Sequence, residues 1–82
     1  MKIKVKTSGI LEDYLPTSGG NPADLVMEEG VTPMDVVSRL RMPTENRYLI
    51  AVNGDVIPRS EHAVFVLSEN DIVAIMPPLK GG

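Results

Sequence analysis

The sequence predicts an α+β domain in which one helix packs across one mixed sheet of four to five strands. Three observations predict it: charged and apolar residues alternate at the start of the chain, residues 32–42 form a capped amphipathic segment, and residues 72–76 are apolar throughout. Alternation with a period of two is typical of strands, and apolar spacings of three and four residues are typical of helices. The predicted order of elements is β-β-α-β-β-β.

Residues 1–6 and 23–28 predict the first two strands. Lys2, Lys4 and Lys6 alternate with Ile3 and Val5, so the lysines are interpreted as the solvated face of a strand and not as an anion site. The segment between the strands is dense in Pro, Gly, Ser and Asn, which indicates a loop. No phosphate-loop pattern ending in Lys-Ser or Lys-Thr follows its glycines, so a phosphate site is not expected there.

The helix is predicted over residues 32–42. Thr32 is a good N-cap, Pro33 suits the first helical position, and Asp35 stands where the acidic partner of a capping box belongs. Pro43 prevents the helix from continuing. Apolar residues recur on one face at helical spacing, namely Pro33, Val36, Val37 and Leu40.

The second half of the chain predicts short strands separated by turns. Asn53 and Gly54 supply a tight turn. Residues 72–76 are apolar on both faces, so this last strand is expected in the middle of the sheet. The remaining segments are, in order, a strand at 48–53, the segment 56–58 into which the turn leads, an irregular turn at 59–62 and a short candidate strand at 64–67.

Length, composition and charge exclude several classes of function. A chain of 82 residues holds one small core, and the absence of cysteine excludes a disulfide framework, a thiolate metal site and an internal thiol nucleophile. The net charge is −3 and neither half of the chain is basic, so nucleic acid is not an expected partner. No apolar run approaches the roughly 20 residues that span a bilayer. We expect a cytoplasmic protein that does not contact membranes.

Two groups of polar residues are weak site candidates. His62 is the only histidine, and without a cysteine or a second histidine a metal site there is not expected. Glu28 and Glu29 are adjacent and would face apart on an extended segment, so a solvated turn is a better interpretation than an acid–base pair.

Three further residues, Met76, Phe65 and Arg59, are candidate contacts on the surface that meets a partner protein.

The C-terminal six residues are the strongest functional candidate. They divide the chain into a domain at 1–76 and an extended tail at 77–82. Pro77 and Pro78 stiffen the exit from the last strand, and Gly81 and Gly82 leave no side chain next to the terminal carboxylate. Six extended residues reach up to about 20 Å from the core, which suits a narrow channel in another protein. The tail would present Pro77, Pro78, Leu79, Lys80, Gly81 and Gly82 to that channel.

These residues carry a resemblance to a known family. The order of elements and the Gly-Gly end resemble the ubiquitin-like β-grasp fold of the MoaD/ThiS-type sulfur carriers. Residues 71–82, with Pro-Pro-x-x-Gly-Gly after an apolar strand, resemble the small subunit of molybdopterin synthase. Residues 52–60 are more similar to the sulfur carrier of thiamin biosynthesis. The chain departs from the pattern at Asn70, where glycine is usual, and lacks the longer helical insertion after the first strand.

The resemblance implies a carrier and not an enzyme. A partner similar to the ubiquitin-activating enzymes (an E1-like adenylyltransferase) would use ATP to adenylate Gly82, and the chain itself would bind no cofactor. A persulfide or sulfide donor would then leave a thiocarboxylate. The sulfur would pass to the large subunit of a molybdopterin synthase, or to a thiazole synthase in the alternative pathway. Two further alternatives are a protein modifier conjugated through Gly82 and an interaction module with an inert tail.

Overall fold

Five strands form one mixed sheet in the computed structural model, which describes residues 1–15, 20, 22–43 and 47–77. The predicted α+β class with a four- to five-stranded sheet and one main helix is therefore confirmed. Within the described residues, no helix has the length and apolar character needed to span a membrane. The elements are β1 (Lys2–Thr7), β2 (Ala23–Val26), α1 (Pro33–Arg39), β3 (Leu49–Val52), β4 (Asp55–Val56) and β5 (Ile72–Met76), with 3-10 helices at Gly9–Tyr14 and Arg59–Glu61.

The last strand lies in the middle of the sheet, as the sequence predicts. The strand order is β2-β1-β5-β3-β4. β5 runs parallel to β1, with Thr7 opposite Ile75, and antiparallel to β3, with Leu49 opposite Met76. β2 and β4 pair antiparallel with β1 and β3 at the two edges. The strand that leads to the tail is therefore held by hydrogen bonds on both sides.

The core lies between the sheet and α1. Alternate residues of the two central strands point into it, and Ile3, Val5, Val73 and Ile75 have no exposed surface. Val36 and Val37 of α1 are equally buried, together with Pro33 at the first helical position. The lysines of β1 point to the opposite face and are exposed, which confirms their interpretation as a solvated face.

The start of α1 is capped as the sequence predicts. The Thr32 N–H donates to the Asp35 carboxylate over 2.8 Å, and the Asp35 N–H donates to the Thr32 hydroxyl over 3.3 Å. These two bonds form a capping box and satisfy two amide groups that the helix leaves without partners. Asp35 in the first turn also complements the helix dipole.

The helix ends earlier than the predicted residue 42 because a Schellman motif closes it. The Met42 N–H donates to the Val37 carbonyl and the Arg41 N–H donates to the Ser38 carbonyl, over 3.1 and 3.0 Å. This motif places Arg41 in the left-handed region, with φ of 60°. Glycine is favoured there, because a Cβ atom strains this backbone conformation.

We expect Arg41→Gly to stabilise the domain by about 0.5–1 kcal/mol, because relief of the left-handed strain exceeds the entropy that glycine adds to the unfolded chain. Urea unfolding of the two proteins measures the difference. Arg39→Gly is the matched control, since Arg39 is the last residue of α1, and it should lose about 1 kcal/mol. Equal losses in both variants would contradict the assigned role of Arg41.

The predicted strand at residues 64–67 is wrong. The Leu67 N–H donates to the Val31 carbonyl and the Phe65 N–H to the Glu61 carbonyl, so the amides of this segment bond to a turn and to the loop before α1. Leu67 is buried whereas Val64 and Val66 are 66% and 60% exposed. Phe65 and Leu67 face the core and Val64 and Val66 face solvent, but the segment is not part of the described sheet and packs as a loop on the helix side of it.

A side-chain network joins the turn after β3 to the turn before β5. Asn53 donates from its amide to the Asp71 carboxylate over 2.9 Å and accepts the Ile72 N–H over 2.9 Å. The Ser68 N–H donates to the other Asp71 oxygen over 2.7 Å. Asn70, with φ of 68°, takes the left-handed conformation of the glycine usual there. The network fixes where β5 begins, and hence the position of the tail.

Candidate functional site

The tail leaves the domain from the end of the central strand. Met76 is the last residue of β5 and lies opposite Leu49, and Pro77, the next residue, is half-buried. The root of the tail is therefore anchored on a strand paired on both sides. The remaining predicted tail residues, Pro78, Leu79, Lys80, Gly81 and Gly82, lie outside the described residues, so their predicted roles stay predictions.

The face of the sheet opposite α1 is not covered by any described element and carries apolar side chains beside the root of the tail. Leu49 is 39% exposed, Ile72 38% and Val56 61%. Leu49 and Ile72 are each followed by a core residue along their strands, so their exposure follows from the pleat of the sheet. We call this surface the open face, and its central and β4-side members are Leu49, Ala51, Val56, Ile72, Ala74 and Met76.

A groove of about 400 Å³ crosses the open face. Its walls are mainly apolar and come from β3 and β5, and one end reaches Met76 at the root of the tail. Lys6 of β1 is the cation that lines it. The lining residues are Lys6, Ala51, Asn53, Gly54, Ile72, Ala74 and Met76. A partner that receives the tail would meet this groove directly beside it.

The predicted partner residues do not form one patch. Met76 is half-buried on the open face, whereas Phe65 is half-buried against the core on the side of α1. Arg59 is exposed in the 3-10 helix that follows β4. The segment around Phe65 is a loop beside the start of α1 and not a strand of the sheet, so Phe65 does not share the face of Met76, and the role of these residues as partner contacts stays a prediction.

The residues that the sequence marks as weak site candidates lie apart, one buried and two exposed. His62 is 5% exposed, and its Nε2 lies 3.0 Å from the Ile57 carbonyl oxygen. Glu28 and Glu29 are exposed in the loop before α1. Among the residues that the structure describes, no group of three or more His, Cys, Asp and Glu side chains is arranged to hold a metal ion.

The tail and the sheet that supports it match a known family. The sequence profile of the ThiS family matches residues 14–82, which is most of the chain and includes the Gly-Gly end. The chain belongs to the ThiS family. This family, with the related MoaD proteins, consists of small sulfur carriers, so membership agrees with a carrier and not a catalyst. No curated protein sequence matches this ThiS-family chain.

Solved structures with low sequence identity share its fold. A putative molybdopterin converting factor subunit 1 from Pyrococcus furiosus has a TM-score of 0.70 and 20% identity, with 96% of this chain and 99% of that chain covered. SAMP1 from Haloferax volcanii has a TM-score of 0.66 and 15% identity, with both chains fully covered. The complex of subunits 1 and 2 of the molybdopterin-converting factor from Helicobacter pylori gives 0.57 and 15%, again with full coverage. The ThiS-family chain therefore has the ubiquitin-like β-grasp fold.

The sequence did not single out the open face as a functional surface. The signal was present, because β5 is apolar at every position and only one of its faces can meet the single helix. Leu49, Ala51 and Val56 extend that apolar face across β3 and β4. The sequence predicts correctly that Lys6 lies on a solvated strand face, but its place in the groove with Met76 depends on the parallel pairing of β1 with β5.

Proposed function

We propose that this ThiS-family chain carries sulfur as a thiocarboxylate on Gly82. The observation that carries the proposal is the match of the family to residues 14–82, with the tail rooted on the central strand of the domain. Gly81 and Gly82 have no side chains that would crowd a reaction at the terminal carbonyl. The domain would hold this carbonyl where a larger partner can reach it.

The proposed chemistry takes two steps on the partner enzyme. The Gly82 carboxylate attacks the α-phosphate of ATP, which releases pyrophosphate and forms an acyl-adenylate with AMP as a good leaving group. Hydrosulfide then displaces AMP and leaves the thiocarboxylate. If the donor is a protein persulfide, its terminal sulfur displaces AMP to form an acyl disulfide, and a thiol reduces that disulfide to release the thiocarboxylate.

The chain contributes position and not acid–base chemistry to these steps. Its part is to hold the acyl group in the partner's active site, which converts a bimolecular encounter into a reaction between bound groups. The absence of cysteine fits this role, since no thiol within the chain can intercept the acyl-adenylate. ATP would be bound by the activating enzyme. The root of the tail, the groove with Met76, and Arg59 would contact the partners.

For the sulfur acceptor we propose a large subunit of the molybdopterin synthase type. The ending from Pro77 to Gly82 supports this pathway, and two structural neighbours are named as molybdopterin converting factor subunits, one of them in complex with its second subunit. A thiazole synthase is the second candidate acceptor, which the ThiS family match and residues 52–60 favour. A third candidate role is protein modification through Gly82, as ubiquitin-like proteins perform.

The intact mass of the chain purified from cells tests the proposal. We expect a population that is heavier by the exchange of one oxygen for one sulfur, and treatment with an alkylating reagent should shift that population further because a thiocarboxylate is nucleophilic. Covalent adducts on lysines of other proteins, without the sulfur form, would instead support the modifier role. A chain found only unmodified, in cells that make the activating enzyme, would support an inert tail and contradict the proposal.

The two acceptors are distinguished by transfer from the purified thiocarboxylate. The loaded chain is mixed in parallel with a molybdopterin synthase large subunit and its pterin precursor, and with a thiazole synthase and its substrates. We expect sulfur loss from the chain and dithiolene formation only in the first mixture. Transfer only in the second mixture would move the chain to the thiamin pathway while leaving its role as a sulfur carrier intact.

A further inference from the structure

We propose that Asn53 is a site of irreversible deamidation, which the fold slows and whose product releases the start of β5. The site is the turn between β3 and β4, and its chemistry does not depend on the proposed function. Three observations carry the inference. The residue after Asn53 is glycine, the Asn53 amide is bonded to the turn before β5, and its partner there is the carboxylate of Asp71.

Deamidation at an Asn-Gly sequence requires water and no enzyme. The backbone nitrogen of Gly54 loses its proton to a base in solvent and attacks the side-chain carbonyl carbon of Asn53, and ammonia leaves as a five-membered succinimide closes. Water then opens the ring at either carbonyl, which gives aspartate or isoaspartate. Gly54 has no Cβ to hinder this attack, and no heavy atom of the described residues lies within 4 Å of the position that a Cβ would take.

Three hydrogen bonds hold Asn53 to the start of β5. Its backbone N–H donates to the Ile72 carbonyl over 2.8 Å, and its side-chain oxygen accepts the Ile72 N–H over 2.9 Å. Its side-chain nitrogen donates to the Asp71 carboxylate over 2.9 Å. Both polar ends of the amide are therefore held toward residues 71 and 72, whereas ring closure needs the amide against the nitrogen of Gly54. The folded chain is thus protected for as long as these bonds last.

The turn lies at the edge of the sheet and can open without unfolding the core. Asn53 and Gly54 are exposed and form a two-residue turn with φ of 52° and 89°. β4, which follows them, is two residues long, exposed, and paired in the described sheet with β3 alone. Such an edge opens at a lower free energy than the central strands. The rate of deamidation is therefore set by the fraction of time that the amide is released.

The aspartate product cannot re-form the bond to Asp71. A carboxylate oxygen would replace the donor that now lies 2.9 Å from the Asp71 carboxylate, so two like charges would meet in place of a hydrogen bond. Asp71 is fixed on its other side, because its second oxygen accepts the Ser68 N–H over 2.7 Å. The isoaspartate product lengthens the main chain of the turn, which disturbs the pairing of Val52 with Asp55.

The damage would reach the functional surface through β5. Ile72 is the first residue of this strand and exchanges two hydrogen bonds with Asn53. Asn53 and Gly54 also line the groove on the open face. The modified chain should therefore be less stable and, under the proposed function, a poorer sulfur carrier.

Peptide mapping of the aged chain tests where the modification occurs. Trypsin cleavage after Arg47 and Arg59 gives the peptide 48–59, in which Asn53 is the only asparagine, and Asn70 falls in the peptide 60–80. After incubation at mildly alkaline pH, we expect the mass gain of amide-to-acid conversion in 48–59. Asn70 is the internal control, because the nitrogen that would attack it belongs to a residue with a side chain and donates to the Ser68 carbonyl.

Unfolding the chain tests whether the fold protects Asn53. In guanidinium chloride the turn is always open, so we expect the wild-type chain to gain mass in the peptide 48–59 at least about tenfold faster than in native buffer. The same pH and temperature are used in both solutions.

Asp71→Asn tests the role of the carboxylate in native buffer. An amide has a single acceptor end, so it cannot accept from both the Ser68 N–H and the Asn53 side chain. We expect this variant to deamidate about fivefold faster than the wild-type chain, as loss of one charge-assisted hydrogen bond predicts. Asp55→Ser is the matched control, because it removes the same charge next to Gly54 but outside the network, and it should change the rate by less than about twofold.

Exchange of the two side chains tests the effect of the product on stability. Asn53→Asp reproduces the deamidated chain, and we expect it to lower the folding equilibrium constant at least about tenfold in urea unfolding. In Asn53→Asp/Asp71→Asn the amide again donates to a carboxylate, its oxygen can accept the Ser68 N–H, and the carboxylate can accept the Ile72 N–H. This double variant should recover to within about threefold of the wild-type chain.

Four results would overturn the inference. Equal rates in native buffer and in guanidinium chloride, or in Asp71→Asn and the wild-type chain, would show that the network does not protect Asn53. Absence of a mass gain in the peptide 48–59 in guanidinium chloride would remove the site. A double variant no more stable than Asn53→Asp would contradict the predicted repulsion. None of these measurements depends on sulfur loading, so failure of the proposed function would leave the inference standing.

Discussion

Deletion of Gly82 should abolish formation of the thiocarboxylate while leaving the domain folded. The deletion moves the terminal carboxylate back by one residue, about 3.8 Å, from the position that the activating enzyme is built to attack. Misplacement of a reacting group by about 1 Å already reduces rates by about 100-fold, so we expect a loss of at least that size in ATP–pyrophosphate exchange. The free energy of unfolding should change by less than about 0.5 kcal/mol, as is usual for a terminal residue.

Lys80→Ala is the control for this deletion, since it alters the tail but keeps the Gly-Gly end. It should form the thiocarboxylate at a rate within a few-fold of the wild-type chain. If the chain lacking Gly82 still supported sulfur transfer, Gly82 would not be the required site of the thiocarboxylate. A loss of folding in the deletion variant would equally contradict the separation of a supporting domain from a reactive tail.

Substitution of Ile75 by alanine should cost about 3–4 kcal/mol of stability, because it leaves a cavity in a fully buried site. Ile75 has no exposed surface and lies on β5 between β1 and β3. A domain of 82 residues is stable by about 4–12 kcal/mol at typical values per residue, so this single change removes a large part of the total. Urea unfolding measures the loss, and sulfur loading should fall in proportion to the unfolded fraction.

Ile72→Ala is the matched control on the same strand. Ile72 points to the open face and is 38% exposed, so its truncation should cost less than about 1 kcal/mol. Similar losses at the two positions would contradict the assignment of one face of β5 to the core and the other to the open face. If Ile72→Ala lowers the rate of adenylation without lowering stability, the open face takes part in binding the activating enzyme.

The features that the sequence predicts well are those decided by neighbouring residues. The capping box of Thr32 and Asp35 depends on contacts within a few residues, so its side chains can be assigned from the sequence. The tight turn at Asn53 and Gly54 follows from the ease with which these two residue types adopt a positive φ. The central place of β5 follows from its apolar composition on both faces. The fold class depends on these local signals and is confirmed.

The features that the sequence does not predict depend on contacts between distant segments. Residues 64–67 have the composition of a strand, but the Leu67 N–H bonds to Val31 instead of to a strand. The early end of α1 depends on the left-handed conformation of Arg41, a residue that rarely adopts it. The groove on the open face joins Lys6 to Met76 only through parallel pairing between the first and last strands. Such pairings are not visible in the spacing of residues.

The most direct test of the account is the mass of the C-terminal peptide after reconstitution. The purified chain is incubated with the activating enzyme, ATP and a sulfide or persulfide donor, and is then cut after acidic residues, the last of which is Asp71. We predict that the peptide 72–82 carries one sulfur in place of one oxygen and that fragmentation places it on Gly82, only when ATP is present. An unmodified peptide in the complete mixture, or sulfur on any other residue, would contradict the account.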